Sequence, residues 1–166
     1  APGADFFAAF ENYPLSEWES ALRVNLTGLL LACQVFGWPM AQAGRGSIVT
    51  VSSTYGLVGP DPGIYGDSGI NSPVPYATTK AGVIGFTRYL AAHWGRLGVR
   101  SNCLVPGGVS HQNQTDDFRQ NYISRTTVGR MAAPEDYLGP TRFLLSDESR
   151  YMNGSLLVAD GGGTAI

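Results

Sequence analysis

Residues 76–108 read YATTKAGVIGFTRYLAAHWGRLGVRSNCLVPGG. Val83, Thr87, Leu90 and Trp94 share one helical stripe, and Gly98 is placed to stop the helix, so the pattern predicts a helix over 76–97. A short run of strand-forming residues follows over 99–105 and ends at Pro106-Gly107-Gly108. Upstream, 47–53 is rich in β-branched residues between glycines and predicts a second buried strand, with polar Ser52 and Ser53 at its carboxyl end. Farther upstream, Ser16-Glu17-Trp18-Glu19 has the form of a capping box. Trp18, Leu22, Leu29 and Phe36 recur at helical spacing, predicting a helix over 16–36 closed by Pro39 and Gly44. Downstream, 112–128 is polar with weak helical character, Pro134 opens another helix, and 155–159 predicts a third strand before Asp160-Gly161-Gly162-Gly163.

Strands alternating with helices imply an α/β fold, a parallel sheet sandwiched between helices and joined by right-handed crossovers. In doubly wound sheets of this kind chemistry gathers outside the carboxyl ends of the strands, where Ser53 and Pro106-Gly107 fall. Three strands are fewer than such sheets usually have. Residues 54–75 carry Gly, Pro, Asp and Ser without a sustained period and read as a long ordered loop. No repeat, linker or second domain is visible.

The 166 residues include 43% apolar and 11% aromatic side chains, enough for one domain with a real core. A formal charge of −2 with 14% charged residues gives no electrostatic footprint for nucleic acid or an anionic membrane, so a small-molecule or protein partner is expected. Residues 26–40, interrupted by Thr27, Gln34 and Pro39, are too short to span a bilayer, and Ala1-Pro2-Gly3 does not open a secretory leader. Cys33 and Cys103 read as buried thiols of a reducing compartment, and no His, Cys, Asp or Glu cluster has metal-ligand spacing.

Lys80 is the only lysine in the sequence. It stands four residues after Tyr76 at the start of a helix, so the two side chains leave one face a turn apart. A phenol is a poor base at neutral pH, but a cation within a few ångströms favours its charged form. The plainer reading is a helical tyrosine beside a lysine. Ser53 is either a serine ending a strand on backbone bonds or a hydroxyl presented to a substrate oxygen. Asn25 lies on the apolar stripe of the first helix, where its amide needs partners. It is either a satisfied amide that bends the helix or a bridge between bound water and a site.

Together, Val24-Asn25-Leu26-Thr27-Gly28, Ile48-Val49-Thr50-Val51-Ser52-Ser53, Tyr76-Ala77-Thr78-Thr79-Lys80, Pro106-Gly107-Gly108-Val109 and the segment from Asn153-Gly154 to Asp160-Gly161-Gly162 resemble the short-chain dehydrogenase/reductase family. Order and spacing match from residue 16 to the C-terminus. The resemblance implies a Rossmann-like, doubly wound, three-layer α/β/α sheet. It also implies an NAD- or NADP-dependent oxidoreductase that interconverts a ketone and a secondary alcohol. Tyr76 is then the catalytic acid/base and also a cofactor-binding residue, Lys80 lowers its pKa and binds the nicotinamide ribose, and Ser53 polarises the substrate carbonyl or alcohol. Asn25 holds a water of a proton relay, and the backbone of Pro106, Gly107 and Val109 flanks the nicotinamide. Residues 110–128 become a substrate lid and 54–75 an insertion beside the catalytic tyrosine. Family members commonly pack the helices of 16–36 and 76–97 across a subunit interface, so a cytoplasmic homodimer or homotetramer is implied.

The sequence departs from the family in lacking its Gly-rich turn, its cofactor-selecting residue and its Asn-Asn-Ala-Gly strand. The expectation is a partial domain, the C-terminal two thirds with the first strands missing, inactive by itself. His111 stands where the family often has threonine, with Ser110 as a substitute, and His93 reads as a helix-surface residue. The long 54–75 segment also resembles the extended branch of nucleotide-sugar epimerases and dehydratases. A further alternative is a non-catalytic interaction module. Gly66-Asp67-Ser68-Gly69 superficially resembles a serine-protease nucleophile segment but has no histidine and acid placed to serve it.

Overall fold

A computed structural model describes residues 5–68, 70 and 72–166. The opening Ala1-Pro2-Gly3 and the Gly69 of the protease-like run lie outside the described residues. Strands β1 (Gly46–Val51), β2 (Val99–Pro106) and β3 (Leu156–Ala159) lie side by side in that order, all parallel. Gly46 pairs with Val99, Val51 with Leu104, and Cys103 with Leu156. The predicted strands therefore form, each within two residues of its expected ends.

Side chains alternate across the sheet and sort the helices into two layers. On one face, Ile48 and Val99 pack with Leu90 and Trp94 of α3 (Val74–Trp94), while Cys103 and Val105 pack with its Val83 and Ile84. The buried Thr50 and Thr87 hydroxyls, 2.6 Å apart, join β1 to α3 on the same side. On the other face, Ser47 donates to the Leu144 carbonyl of α5 (Leu138–Leu145) at 2.8 Å. Arg100, opposite Ser47 in the ladder, reaches Leu144 O, Ser146 O and Ser149 Oγ at 3.3, 3.0 and 2.9 Å. This is a three-layer α/β/α arrangement.

The layering corrects the expectation of uniformly right-handed crossovers. Because β1, β2 and β3 step in one direction while α3 and α5 lie on opposite faces, the two crossovers have opposite hands. Short crossovers are held right-handed by strand twist. The β2–β3 connection winds through α4 (Asp116–Ile123) and the 3₁₀ turn Pro134–Tyr137 before α5, which Ser47 and Arg100 hold on the far face.

The first helical region runs farther than expected. α1 (Leu15–Leu22), a π-helical turn at Arg23–Thr27 and α2 (Gly28–Gln42) are continuous. Ser16 is not a cap: Pro14 stands at the N-cap without a side-chain bond, and Leu15 already lies in the helix. Nor does Pro39 close the helix. It sits inside α2 at the loss of one backbone bond, and the chain turns at Gly44, whose φ is 71°. Leu15–Gln42 is long and apolar enough by length and composition to cross a membrane, a longer stretch than the 26–40 apolar run alone. Here Cys33 and Ala41 pack against Leu90, Trp94 and Val99, while Leu31, Val35, Phe36 and Trp38 are exposed.

α3 ends as expected: Gly98, at φ 78°, closes the 3₁₀ turn Gly95–Leu97 and starts β2. The 54–75 loop holds 3₁₀ pieces at Thr54–Gly56 and Pro62–Ser68, which leave no 3.6-residue period to read. The helix expected at Pro134 begins as a 3₁₀ turn, in which the Asp136 carboxylate accepts from Ala133 N and pairs with both terminal nitrogens of Arg130. These donors hold the Asp136 carboxyl at about 2.

Arg100 is the polar fastener between sheet and α5, serving carbonyls at the end of that helix. Arg100→Met is expected to lower unfolding free energy by about 2 kcal/mol in urea denaturation, since charged hydrogen bonds to buried acceptors are lost. Arg100→Lys recovers little of it, because one ammonium does not reproduce the fork. Unchanged midpoints in both variants contradict this role.

Candidate active site

β1 and β2 release their chains at the same end of the sheet, and the polar residues singled out above sit there. Ser52 N still donates to Leu104 O at 2.9 Å, one step beyond the β1 ladder. Its buried hydroxyl donates to the Lys80 carbonyl at 2.7 Å, fastening the strand end to α3. Ser53 then leaves the sheet and opens the Thr54–Gly56 turn, its hydroxyl oxygen accepting from Tyr55 N at 3.2 Å. Ser53 is buried, and the ring of Tyr55 that its turn presents meets Tyr76 edge-on at 6.4 Å.

Tyr76 and Lys80 occupy the first turns of α3. The Lys80 ammonium lies 5.7 Å from the Tyr76 ring centroid and donates to Val51 O, the last carbonyl of β1, at 3.1 Å. Among the described residues no carboxylate pairs with it. Burial pushes the ammonium below its ordinary value, with the nearby Cys103 thiol opposing that shift.

Asn25 lies in the π-helical turn, where an extra residue per turn swings a side chain off the regular stripe. Its Nδ2 donates to Thr79 Oγ1 at 2.9 Å, and that hydroxyl donates to the Tyr76 carbonyl at 3.1 Å. Asn25 and Tyr76 line one cavity of about 280 Å³ with Glu17, Ser20 and Val24. Asn25 thus both has its partner and sits where the helix departs from regularity. The geometry describes the satisfied amide of the sequence reading.

The Pro106-Gly107-Gly108-Val109 turn follows β2. Gly107 N donates to Ala159 O at 3.1 Å, Tyr137 OH donates to Gly107 O at 3.3 Å, and Gln114 Nε2 donates to Val109 O at 3.1 Å. Much of this backbone is already satisfied within the chain. Gly107 also lets this turn pack on the end of β3: a Cβ there would stand 2.8 Å from Asp160 Cα. His111 is exposed and takes part in the local turn, its Nδ1 accepting from Asn113 N at 3.2 Å. His93 stacks on Tyr89 at 5.5 Å on α3, away from the Tyr76 cluster, as a helix-surface residue does.

Sequence reasoning missed the phenols around Tyr76. Tyr55, Tyr65 and Tyr122 are all pushed up from the ordinary phenol range, chiefly by burial, and stay protonated at neutral pH. It also missed the Asp61–Arg125 ion pair, which ties the 54–75 loop to the end of α4. Both come from stretches without a readable period.

The donor set suits the nicotinamide-ribose end of a dinucleotide. A half-buried ammonium that gives one proton to Val51 O retains two for hydroxyl oxygens. Nothing in the sequence supplies a Gly-rich phosphate turn for the other end.

A family profile described as enoyl-(acyl carrier protein) reductase matches residues 2–164. A 3-alpha-(or 20-beta)-hydroxysteroid dehydrogenase of Mycobacterium tuberculosis is 38% identical over 93% of this chain and 55% of its own length. Among solved structures, a short chain dehydrogenase from Leptospira borgpetersenii with bound NAD+ is 42% identical with TM-score 0.88, covering 95% of this chain and 60% of that one. A gluconate 5-dehydrogenase from Burkholderia cenocepacia in complex with NADP and tartrate is 27% identical with TM-score 0.86, covering 96% and 60%. The chain thus spans a little over half the length of the relatives it matches.

Because Lys80 is the only lysine, reductive ¹³C-methylation gives it a single side-chain NMR signal. That signal is expected to titrate below the ordinary lysine midpoint of about 10.4, since burial disfavours the charged form. A midpoint at or above the ordinary value contradicts the half-buried placement.

Proposed function

The chain belongs to the short-chain dehydrogenase/reductase family, and from that premise we propose that it carries the catalytic part of an NAD- or NADP-dependent oxidoreductase acting on a ketone or secondary alcohol. The observation that carries this reading is the Lys80 ammonium, held by the end of β1 beside the Tyr76 ring at the mouth of the sheet. The dinucleotide, when bound, supplies the hydride chemistry.

The chain's own residues do the rest. Tyr76 gives a proton to, or takes one from, the substrate oxygen. Lys80 lies against the ring of that phenol and would hold the ribose hydroxyls with its remaining donors. Ser53 turns its hydroxyl proton to the substrate oxygen, its own oxygen being fixed by Tyr55 N. Asn25, anchored through Thr79, orders water in the cavity it shares with Tyr76 and so links Lys80 to solvent. The backbone of Pro106, Gly107 and Val109 would flank the nicotinamide. Residues 54–75 act as a specificity insertion and 110–128 as the lid over the substrate.

The matched relatives named above are dehydrogenases, which supports this over the nucleotide-sugar reading. Activity requires a polypeptide that supplies a dinucleotide-phosphate site alongside this chain; by itself the chain has little. The exposed apolar faces of α2 and α3, with Phe36, Trp38 and Tyr89, suit packing against a second copy as a homodimer or homotetramer. Two buried free thiols, Cys33 and Cys103, fit a reducing, cytoplasmic location.

In a polypeptide with a complete dinucleotide site, Tyr76→Phe is expected to lower turnover by at least about a hundredfold. Binding of NADH or NADPH, read by fluorescence quenching, stays within about twofold of wild type, since the lost proton is not used to hold the dinucleotide. Turnover that survives the change removes Tyr76 from the reaction.

A further inference from the structure

The insertion and the lid meet on one residue that nothing above uses. α4 is held against the 54–75 loop in two places: the Asp61–Arg125 ion pair, and the Tyr65 and Phe118 rings, 5.7 Å apart. Arg125 is braced from its own side by Asn121 O at 2.8 Å. Between these fasteners stands Tyr122, its ring 6.1 Å from Phe118 and turned toward the Pro-Gly-Gly turn. The Tyr122 hydroxyl accepts from Gly108 N, and the ring fills the space over that glycine. A Cβ built on Gly108 would lie 2.5 Å from the ring carbon Cζ, so the ring holds its seat only because residue 108 has no side chain.

Two cavities flank this ring and share it. One, of about 180 Å³, is lined by Gly107, Gly108, Ala132, Tyr137 and Asp160. The other, of about 390 Å³, is lined by Thr54, Tyr55, Ile64, Arg125 and Thr164, and the Tyr55 ring in its wall meets Tyr76 edge-on at 6.4 Å. Tyr122 and Thr126 are common to both. Thr126 is a small β-branched residue whose hydroxyl is held by Ile123 O, so the large movable part of the partition is the Tyr122 ring.

We propose that Tyr122 is the wall dividing the substrate cavity, and that it sets the size of carbonyl compound the site admits. The inference rests on the oxidoreductase reading and deepens it. With the ring seated on Gly108, a compact ketone fills the space beside Tyr55 and Tyr76. With the ring gone or evicted, the two cavities join and a bulkier, fused-ring ketone fits. Tyr122 does not touch the reacting atoms; it selects among substrates. The Asp61–Arg125 pair and the Tyr65–Phe118 contact keep α4, and the wall with it, from drifting.

The test uses the dinucleotide-loaded intact polypeptide with cyclohexanone as the compact probe and 2-decalone as the fused-ring probe. Binding is read by calorimetry and turnover as kcat/KM. Tyr122→Ala is expected to raise the 2-decalone-to-cyclohexanone ratio at least about tenfold in both readouts, a size of effect that a change of pocket volume can produce. Gly108→Ala, which leaves Tyr122 in place but takes its seat, shifts the ratio the same way. Tyr122→Phe, which keeps the ring, moves it less than about threefold. A ratio unchanged in both Tyr122→Ala and Gly108→Ala overturns the proposal, and so does wild-type protein that binds neither ketone. Failure of the oxidoreductase reading has a different signature: no variant turns over either ketone, while the calorimetric ratio still reports on the wall.

Discussion

An ammonium at the carboxyl end of a parallel sheet is the constraint on which the geometry of the candidate site depends. Lys80 gives one proton to the last carbonyl of β1 and, in doing so, ties the first turns of α3 to the strand end. The knot is doubled by Ser52, whose hydroxyl bonds the carbonyl of Lys80 itself. With strand and helix locked there, the position of Tyr76 one turn earlier is no longer free, and neither is that of Thr79, which faces inward to Asn25. A charge so placed is costly to bury without a matching anion. Backbone carbonyl, aromatic face and the hydroxyls of a ligand are the groups that relieve it.

Much of this was readable in the residues because it is local. The Tyr76–Lys80 spacing, the serines after a β-branched strand and the Pro-Gly-Gly ending of β2 are short-range signals, and each fell where expected. What escaped depends on partners distant in sequence or on backbone forms that no residue type announces. The π turn around Asn25 is one such form. Pro39 looks in sequence like a helix stop, yet a helix packed through Cys33 and Ala41 continues past it. The opposite hands of the two crossovers follow from where α5 docks, and Arg100, which holds it there, looks in sequence like an ordinary strand arginine. Tyr122 lay in a polar run with little period, so its seat over Gly108 was invisible until the lid and the strand end were brought together.

The insertion and the lid show how a common sheet carries an individual site. In the proposed function the sheet and α3 supply the proton-handling groups, while 54–75 and 110–128 are joined by the Asp61–Arg125 ion pair and the Tyr65–Phe118 contact. Relatives that share the sheet act, by their names, on substrates as unlike as steroids and gluconate.

The most direct measurement is the rate at which Lys80 is labelled by an amine-specific reagent, followed by peptide mass spectrometry, with and without saturating dinucleotide in the intact polypeptide. The account predicts that NAD or NADP slows labelling of Lys80 at least about tenfold, because the ribose hydroxyls occupy the protons the protein leaves over. A rate unchanged under saturation contradicts it, since the ammonium then faces something other than the cofactor.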